Sequence, residues 1–337
     1  MKINNRRYIG NKSKLLDFIF ENIENLGYDN SNSFFDVFAG TGVVASYFAD
    51  KGYRTIVNDS LYSNKIVYET FLGEGELNEP KLRKIINELN ELEYDAISDN
   101  YFSDVYSNKY FSYNDAKKIG YIRDYIEEIS SDLTHREYCY LITSLMYATD
   151  KIANTVGHYE SFLNSVPVDK NIKLHELEIN YDITPAQIFN EDANSVVKKV
   201  KSDIAYIDPP YNARQYVNFY HVLENLARWN KPTEFEGNSM KFKRTELKSG
   251  YCRRNTAKKL FKDLIDSLDT KLIVVSYNNT YNAKSSSSNN TILPEEILDI
   301  LQSKGKVTVK EKDYKSFNAG KTDLNGHKAV LYICEVQ

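Results

Sequence analysis

The residues Asp208-Pro209-Pro210-Tyr211 set a carboxylate and an aromatic ring on either side of two consecutive prolines. Neither proline can donate a ladder hydrogen bond and each fixes its own φ, so the chain here is stiff and leaves any sheet it came from. The run before them, 204–207 (IAYI), is short, apolar and bounded by polar residues, the pattern of a buried parallel strand. A carboxylate and a ring are thereby held at a strand's carboxyl end, where open α/β sheets place their ligands. A rigid turn with a capping Asp is the plain alternative. Tyr211, Asn212, Arg214 and Gln215 make this turn too rich in polar groups for that.

Two upstream features suit such a site. Residues 33–38 (SFFDVF) read as a buried strand, Ala39-Gly40-Thr41-Gly42 follows, and 43–49 has helical spacing. Strand, glycine loop and helix together present backbone N–H groups and bare Cα atoms to a ligand. The loop lacks the third glycine of the dinucleotide fingerprint and the Gly-Lys-Ser/Thr of a Walker loop. It is expected to take a nucleoside-like ligand without a phosphate chain. Residues 54–58 (RTIVN) form the next strand, and Asp59 at its end lies nineteen residues after Gly40. An acid there can accept both ribose hydroxyls.

The elements that position these groups follow from hydrophobic spacing. A helix is expected from about residue 14 to Gly27, and further helices at 81–92, 114–130 and 135–150, with no sheet strand between 73 and 180. We therefore expect catalytic segments 1–72 and 181–337 around an inserted, mainly helical region, 73–180. Short strands at 186–190 and 204–207, a helix at 217–229, and a helix, strand, helix and two closing strands at 257–335 restore the α/β rhythm. Residues 231–257 read as a long basic loop or hairpin, and long loops in compact domains tend to be functional. The Ser/Asn tract 282–290 reads as flexible.

Composition is that of an ordinary globular chain: 337 residues, 42% hydrophobic, 27% charged. Cys139, Cys252 and Cys334 are far apart, which excludes a disulfide framework or a structural zinc site and suits a reducing cytoplasm. We expect neither a signal peptide nor a membrane span, and no metal site. Net charge is −4, yet residues 241–262 hold nine cations against one acid, Glu246. Segregated charge of this kind makes a local cationic surface on an acidic protein.

In chain order, Tyr8-Ile9-Gly10-Asn11-Lys12, Asp36-Val37-Phe38-Ala39-Gly40-Thr41-Gly42, Asn58-Asp59, Asp192-Ala193 and Asp208-Pro209-Pro210-Tyr211 resemble the motifs of the Dam-like D12 (class α) DNA adenine-N6 methyltransferases, with Tyr8 where many relatives have Trp. The resemblance implies a Rossmann-like S-adenosylmethionine-dependent methyltransferase sheet with an inserted target-recognition region. It implies methylation of a flipped-out adenine in double-stranded DNA by a monomer in a bacterial restriction-modification system, with a cognate restriction endonuclease as genetic partner. Asp208, Pro209, Pro210 and Tyr211 would be catalytic. S-adenosylmethionine would lie on Tyr8, Lys12, Asp36, Phe38, Ala39, Gly40, Thr41, Gly42, Asp59, Asp192, Ala193 and Asp208. Arg6, Arg7, Asn154, Arg214, Lys241, Lys243, Arg244, Arg253 and Arg254 are the candidates for touching DNA. The runners-up are an RNA adenine-N6 methyltransferase and a catalytically silent DNA-binding protein. Asp rather than Asn at 208 argues against the first, and the intact cofactor motifs argue against the second.

Overall fold

The structure, a computed structural model, describes residues 2–3, 6–281, 286–313 and 327–337. In chain order its helices and strands are α1 (Leu16–Glu24), β1 (Ser33–Asp36), α2 (Val43–Asp50), β2 (Arg54–Asn58), α3 (Tyr62–Leu72), α4 (Glu79–Glu91), α5 (Tyr101–Tyr106), α6 (Tyr113–Glu128), α7 (His135–Ile152), β3 (Gln187–Phe189), α8 (Ala193–Val196), β4 (Ile204–Ile207), α9 (Tyr216–Phe219), α10 (His221–Arg228), β5 (Phe235–Glu236), β6 (Lys241–Phe242), α11 (Arg254–Ser267), β7 (Leu272–Asn278), α12 (Pro294–Gln302), β8 (Gly305–Asp313) and β9 (Lys328–Val336). Residues 282–285 of the Ser/Asn tract lie outside the described residues.

The chain forms two compact units. One comprises Gly10–Ser60, Asp182–Tyr216 and Glu246–Gln337; the other comprises Met1–Ile9, Leu61–Tyr181 and Val217–Thr245. The first holds a seven-stranded sheet of order β3-β2-β1-β4-β7-β9-β8, in which β3, β2, β1, β4 and β7 are parallel and β9 runs antiparallel to both its neighbours. This is the Rossmann-like α/β arrangement expected of a methyltransferase. Its central strands β1, β4 and β7 are buried on both faces, which is why they read as apolar runs, whereas the edge strand β8 is largely exposed and β3 partly so. On one face Phe35, Val37, Ala205, Ile273 and Val275 pack against α8, α11 and α12 through Val196, Phe261 and Ile297. On the other, Phe34, Ile204 and Val274 pack against α1 and α2 through Leu15, Ile19 and Phe48.

The second unit is helical, with α3 packed on α7 and α10, and α6 on α7. Thr134 and Glu137 form a reciprocal capping box that starts α7. Its buried Glu224 accepts from the Tyr62 and Ser63 N–H groups at 3.0 and 2.9 Å and from Arg228 Nε at 2.6 Å. Trp229 ends α10 in the left-handed conformation (φ 54°) and donates its indole N–H to Asp124 Oδ1 at 2.7 Å.

The division differs from the expected 73–180 insertion. Residues 61–72, 217–245 and the N-terminal 1–9 go with the helical unit, because α3 and α10 bury their apolar faces on α7. The helix expected at 217–229 breaks at Tyr220 (φ −122°, ψ 18°), where His221 Nδ1 meets the Asn218 carbonyl at 2.9 Å. The basic stretch forms the β5–β6 hairpin, and α5, capped by Asn100, adds a short helix that spacing alone did not suggest.

Candidate active site

The sheet unit gathers its polar groups at the carboxyl ends of β1, β2 and β4. After Asp36 the chain is held as a rigid loop: the Val37 N–H donates to the Tyr206 carbonyl at 3.0 Å, Ala39 N–H to Asn58 at 2.9 Å, and Gly42 N–H to Ala39 at 2.7 Å. Gly40 and Gly42 have φ of 54° and 76°, a region that favours glycine. Asp59 Oδ2 accepts the Gly40 N–H at 3.0 Å, so this acid shapes the glycine loop. Asn58, buried, donates to the Val37 and Glu191 carbonyls, each at 3.2 Å, tying the loop to the end of β3.

The Asp-Pro-Pro-Tyr turn follows β4 and is pinned from several sides. Lys12 Nζ lies 2.8 Å from Asp208 Oδ2 and 5.5 Å from the centre of the Tyr211 ring. Tyr211 is edge-on to Tyr277 at 5.5 Å, and its carbonyl accepts the Thr291 N–H at 2.8 Å. Gly10 has φ of 82°, and a Cβ there would stand 3.1 Å from the Tyr216 hydroxyl and 3.4 Å from that of Tyr211. The glycine of the Tyr8-to-Lys12 motif thus leaves room for the Tyr211 ring while Lys12 reaches Asp208.

The electrostatics are unusual for a protein interior. Asp36 is 1% exposed and neither of its oxygens has a hydrogen-bond partner; Oδ1 of Asp208 is likewise buried without one. Burial pushes the Asp36 carboxyl well above the usual range, and the Asp208 and Asp59 carboxylates add to this. Burial also raises Asp208, against the pull of the Lys12 ammonium. A pocket of unsatisfied acceptors beside a glycine loop fits a ligand with a nucleoside at one end and a cationic, donor-bearing group at the other.

Beside the glycine loop stands an aromatic wall. Phe38 meets Tyr251 edge-on at 5.1 Å, and Tyr251 Oη donates to Asn194 Oδ1 at 2.8 Å. Asp192 caps α8 by accepting the Ser195 N–H at 3.2 Å, with Ala193 buried behind it. Tyr251 was not among the expected site residues. It lies in the basic 241–262 run, where the apolar pair Tyr251-Cys252, interrupting the cations, was the available signal.

The remaining candidates fall in different places. Tyr8 belongs to the helical unit, stacked on Tyr220 at 4.6 Å with the Arg6 guanidinium over both rings. Arg6 is buried and donates to Asn64 Oδ1 at 3.0 Å; Arg7 holds Asp150 through its own N–H at 3.0 Å and through its side chain. Asn154 is buried and donates to the Lys109, Leu163 and Ser165 carbonyls, and buried Arg244 donates to Phe242 O and Asn218 Oδ1. Lys241 is half-buried, whereas Arg214, Lys243, Arg253 and Arg254 are exposed. Arg254, Lys258, Lys259 and Lys262 line a cavity of about 490 Å³ along α11, with Thr291 and Glu296 opposite. Among the described residues no cluster could hold a metal ion, and no helix is long and apolar enough to cross a membrane.

A family model described as D12 class N6 adenine-specific DNA methyltransferase matches residues 8–281. The modification methylase StsI of Streptococcus sanguinis is 34% identical over 95% of this chain and 50% of its own length. The type II methyltransferase M.FokI of Planomicrobium okeanokoites is 34% identical over 89% and 47%. The type II methyltransferase M.NlaIII of Neisseria lactamica is 29% identical over 96% and 95%. The chain spans about half the length of the first two relatives and nearly all of the third. With the Asp-Pro-Pro-Tyr turn, the glycine loop and the sheet order in place, the chain belongs to the D12 class of N6 adenine-specific DNA methyltransferases.

Proposed function

We propose that the chain transfers the methyl group of S-adenosylmethionine to N6 of an adenine rotated out of double-stranded DNA. It would do so at a specific sequence, as a cytoplasmic monomer, protecting host DNA from a cognate restriction endonuclease. The observation that carries this reading is the Asp208 carboxylate at the end of β4, held by Lys12 on one oxygen and open on the other. The cofactor supplies a methyl on a sulfonium, which needs only an aligned nucleophile. Asp36 would meet its ammonium, Asp59 its ribose, and Phe38, Asp192, Ala193 and Tyr251 its adenine.

Adenine N6 is a weak nucleophile because its lone pair is delocalised into the ring. Asp208 and the Pro209 carbonyl accept its two hydrogens, which favours the pyramidal amine, while Tyr211 stacks on the flipped base. As N6 bonds to the methyl carbon, the methyl's bond to sulfur breaks and leaves a neutral thioether. The surplus N6 proton passes to Asp208, whose raised proton affinity suits it to accept one. Arg214, Lys243, Arg253, Arg254 and the α11 lysines contact phosphates, and the helical unit reads the target sequence. Buried Arg6, Asn154 and Arg244 instead order their own loops.

The test is transfer of labelled methyl to duplex DNA by the wild type and by Asp208→Ala. Wild type should label duplex and the variant should not. A wild type that binds the cofactor but labels RNA, or nothing, would sink the reading.

A further inference from the structure

Beneath Asp208, three polar side chains share one face of the sheet. Asp36 and Tyr206 are register partners on β1 and β4, Tyr206 and Val274 are partners on β4 and β7, and Ser276 lies two residues beyond Val274. Side chains two apart on a strand point the same way. Asp36, Tyr206, Ser276 and Asp208 therefore look toward the face that carries Phe34 and Val274. Tyr206 and Ser276 are each 1% exposed, and apart from each other their hydroxyls have no hydrogen-bond partner. Oδ1 of Asp208 is in the same condition, so donors and acceptor sit unsatisfied in one buried layer.

Buried polar groups without partners are rare and call for an explanation. Lys12 engages Asp208 through Oδ2, and each carboxylate oxygen has a second lone pair to offer. After burial itself, the influence that most raises the Tyr206 phenol is the Asp208 carboxylate; the Ser276 hydroxyl beside it acts in the opposite sense, and Asp36 and Tyr211 add to the rise. The Tyr206 hydroxyl thus shares one buried cluster with Asp208 and engages no carboxylate.

We propose that Tyr206 and Ser276 are positioning residues for methyl transfer: the Tyr206 hydroxyl donates to Oδ1 of Asp208, and Ser276 donates to Tyr206. Such catalytic hydrogen bonds are long in the free protein and tighten on loading. With Lys12 on one oxygen and Tyr206 on the other, the carboxylate cannot rotate, and the second lone pair of Oδ1 stays open to the substrate amine. This rests on the proposed role of Asp208 as acceptor for N6. A hydrogen bond to the ionised carboxylate also favours that form, alongside Lys12 from the segment before α1 and against Asp36 from β1. Among the described residues, Tyr211 from the turn and Tyr206 act in the same cluster, with Asp59 acting on Asp36 and His327 facing Lys12.

The test compares the full-length wild type with Tyr206→Phe and Ser276→Ala. In the free protein, the ¹³C carboxyl resonance of Asp208, assigned by its loss in Asp208→Asn, should titrate about one pH unit higher in Tyr206→Phe, and by less in Ser276→Ala. With cofactor and DNA, kcat of Tyr206→Phe should fall about tenfold, its acid limb should move up with the carboxyl, and KM for DNA should hold. An unshifted carboxyl and a wild-type kcat in Tyr206→Phe overturn the proposal. If Tyr206→Phe does not fold, Ser276→Ala decides: a shifted titration supports the hydroxyl pair and an unshifted one overturns it. Absence of methyl transfer by the wild type would instead count against the functional reading, since the free-protein titration is independent of it.

Discussion

Strand β4 is bracketed by two aspartates whose surroundings are opposed. At its amino end, Asp203 Oδ2 accepts the Ser33 N–H and Oγ–H at 2.9 Å each, and Lys271 Nζ sits 2.8 Å from Oδ1. Lys271 foremost, then Ser33, holds this carboxyl down to about 2. At the carboxyl end Asp208 has one cation, one oxygen without a partner, and a carboxyl raised by burial. The same residue type, five positions apart, is saturated at one edge of the sheet and left wanting at the other. A satisfied acid holds strands together. An unsatisfied one lowers stability, and under the proposed function a ligand completes it.

Substituting each acid breaks or sharpens that contrast. The largest effect is expected at Asp208→Ala: loss of labelled-methyl transfer by at least ~10³-fold, with the fold intact by circular dichroism. Asp203→Ala should leave kcat/KM within about threefold and lower stability by about 1–2 kcal/mol in urea titrations. A folded but inactive Asp203→Ala would erase the distinction. Next, Asp59→Ala removes the partner of the Gly40 N–H and the ribose acceptor together. Cofactor affinity by calorimetry should weaken about 10–100-fold; an unchanged affinity would remove Asp59 from the site. Replacing Arg254 and Lys259 together by Glu should flatten the dependence of log affinity for DNA on log salt by about two contacts and spare cofactor binding.

The smallest effects are in pH. Asp203 is depressed in the folded state, so its contribution is present above pH about 4 and lost as pH falls toward about 2. Asp36 is raised, so the folded form holds its proton more tightly. Its contribution is full below pH about 4 and is lost as pH rises toward its folded value. Asp36→Asn should therefore gain stability over the wild type above pH about 4 and none below it. A uniform gain at all pH values would mean that the carboxyl is not the cause.

The parallel strands, the glycine loop and the proline turn were legible in the sequence because each is a local pattern: an apolar run, a spacing, a pair of rigid residues. What distinguishes Asp203 from Asp208 was not. The partners that satisfy Asp203 lie 170 residues upstream at Ser33 and on the neighbouring β7 side at Lys271, and the sequence holds no mark of either pairing. Burial of cations was hidden for the same reason. Arg244 reads as one more charge in a basic run, yet it is enclosed and bonded to Asn218. Tyr251 packs on Phe38 from within that same run. Helix α5 and the β5–β6 hairpin are too short to show a period, and their edges are set by Asn100 and by the turn at Gly237 (φ 67°).

Trp229, the chain's single tryptophan, falls in the helical unit, its indole N–H on Asp124. Twenty-seven tyrosines would otherwise crowd the emission, but excitation at the red edge selects indole. Fluorescence thus follows that unit alone, whereas far-ultraviolet dichroism sums over both. Denaturation curves from the two signals that fail to superimpose would resolve two separate unfolding steps from a single natural chromophore, with no label introduced.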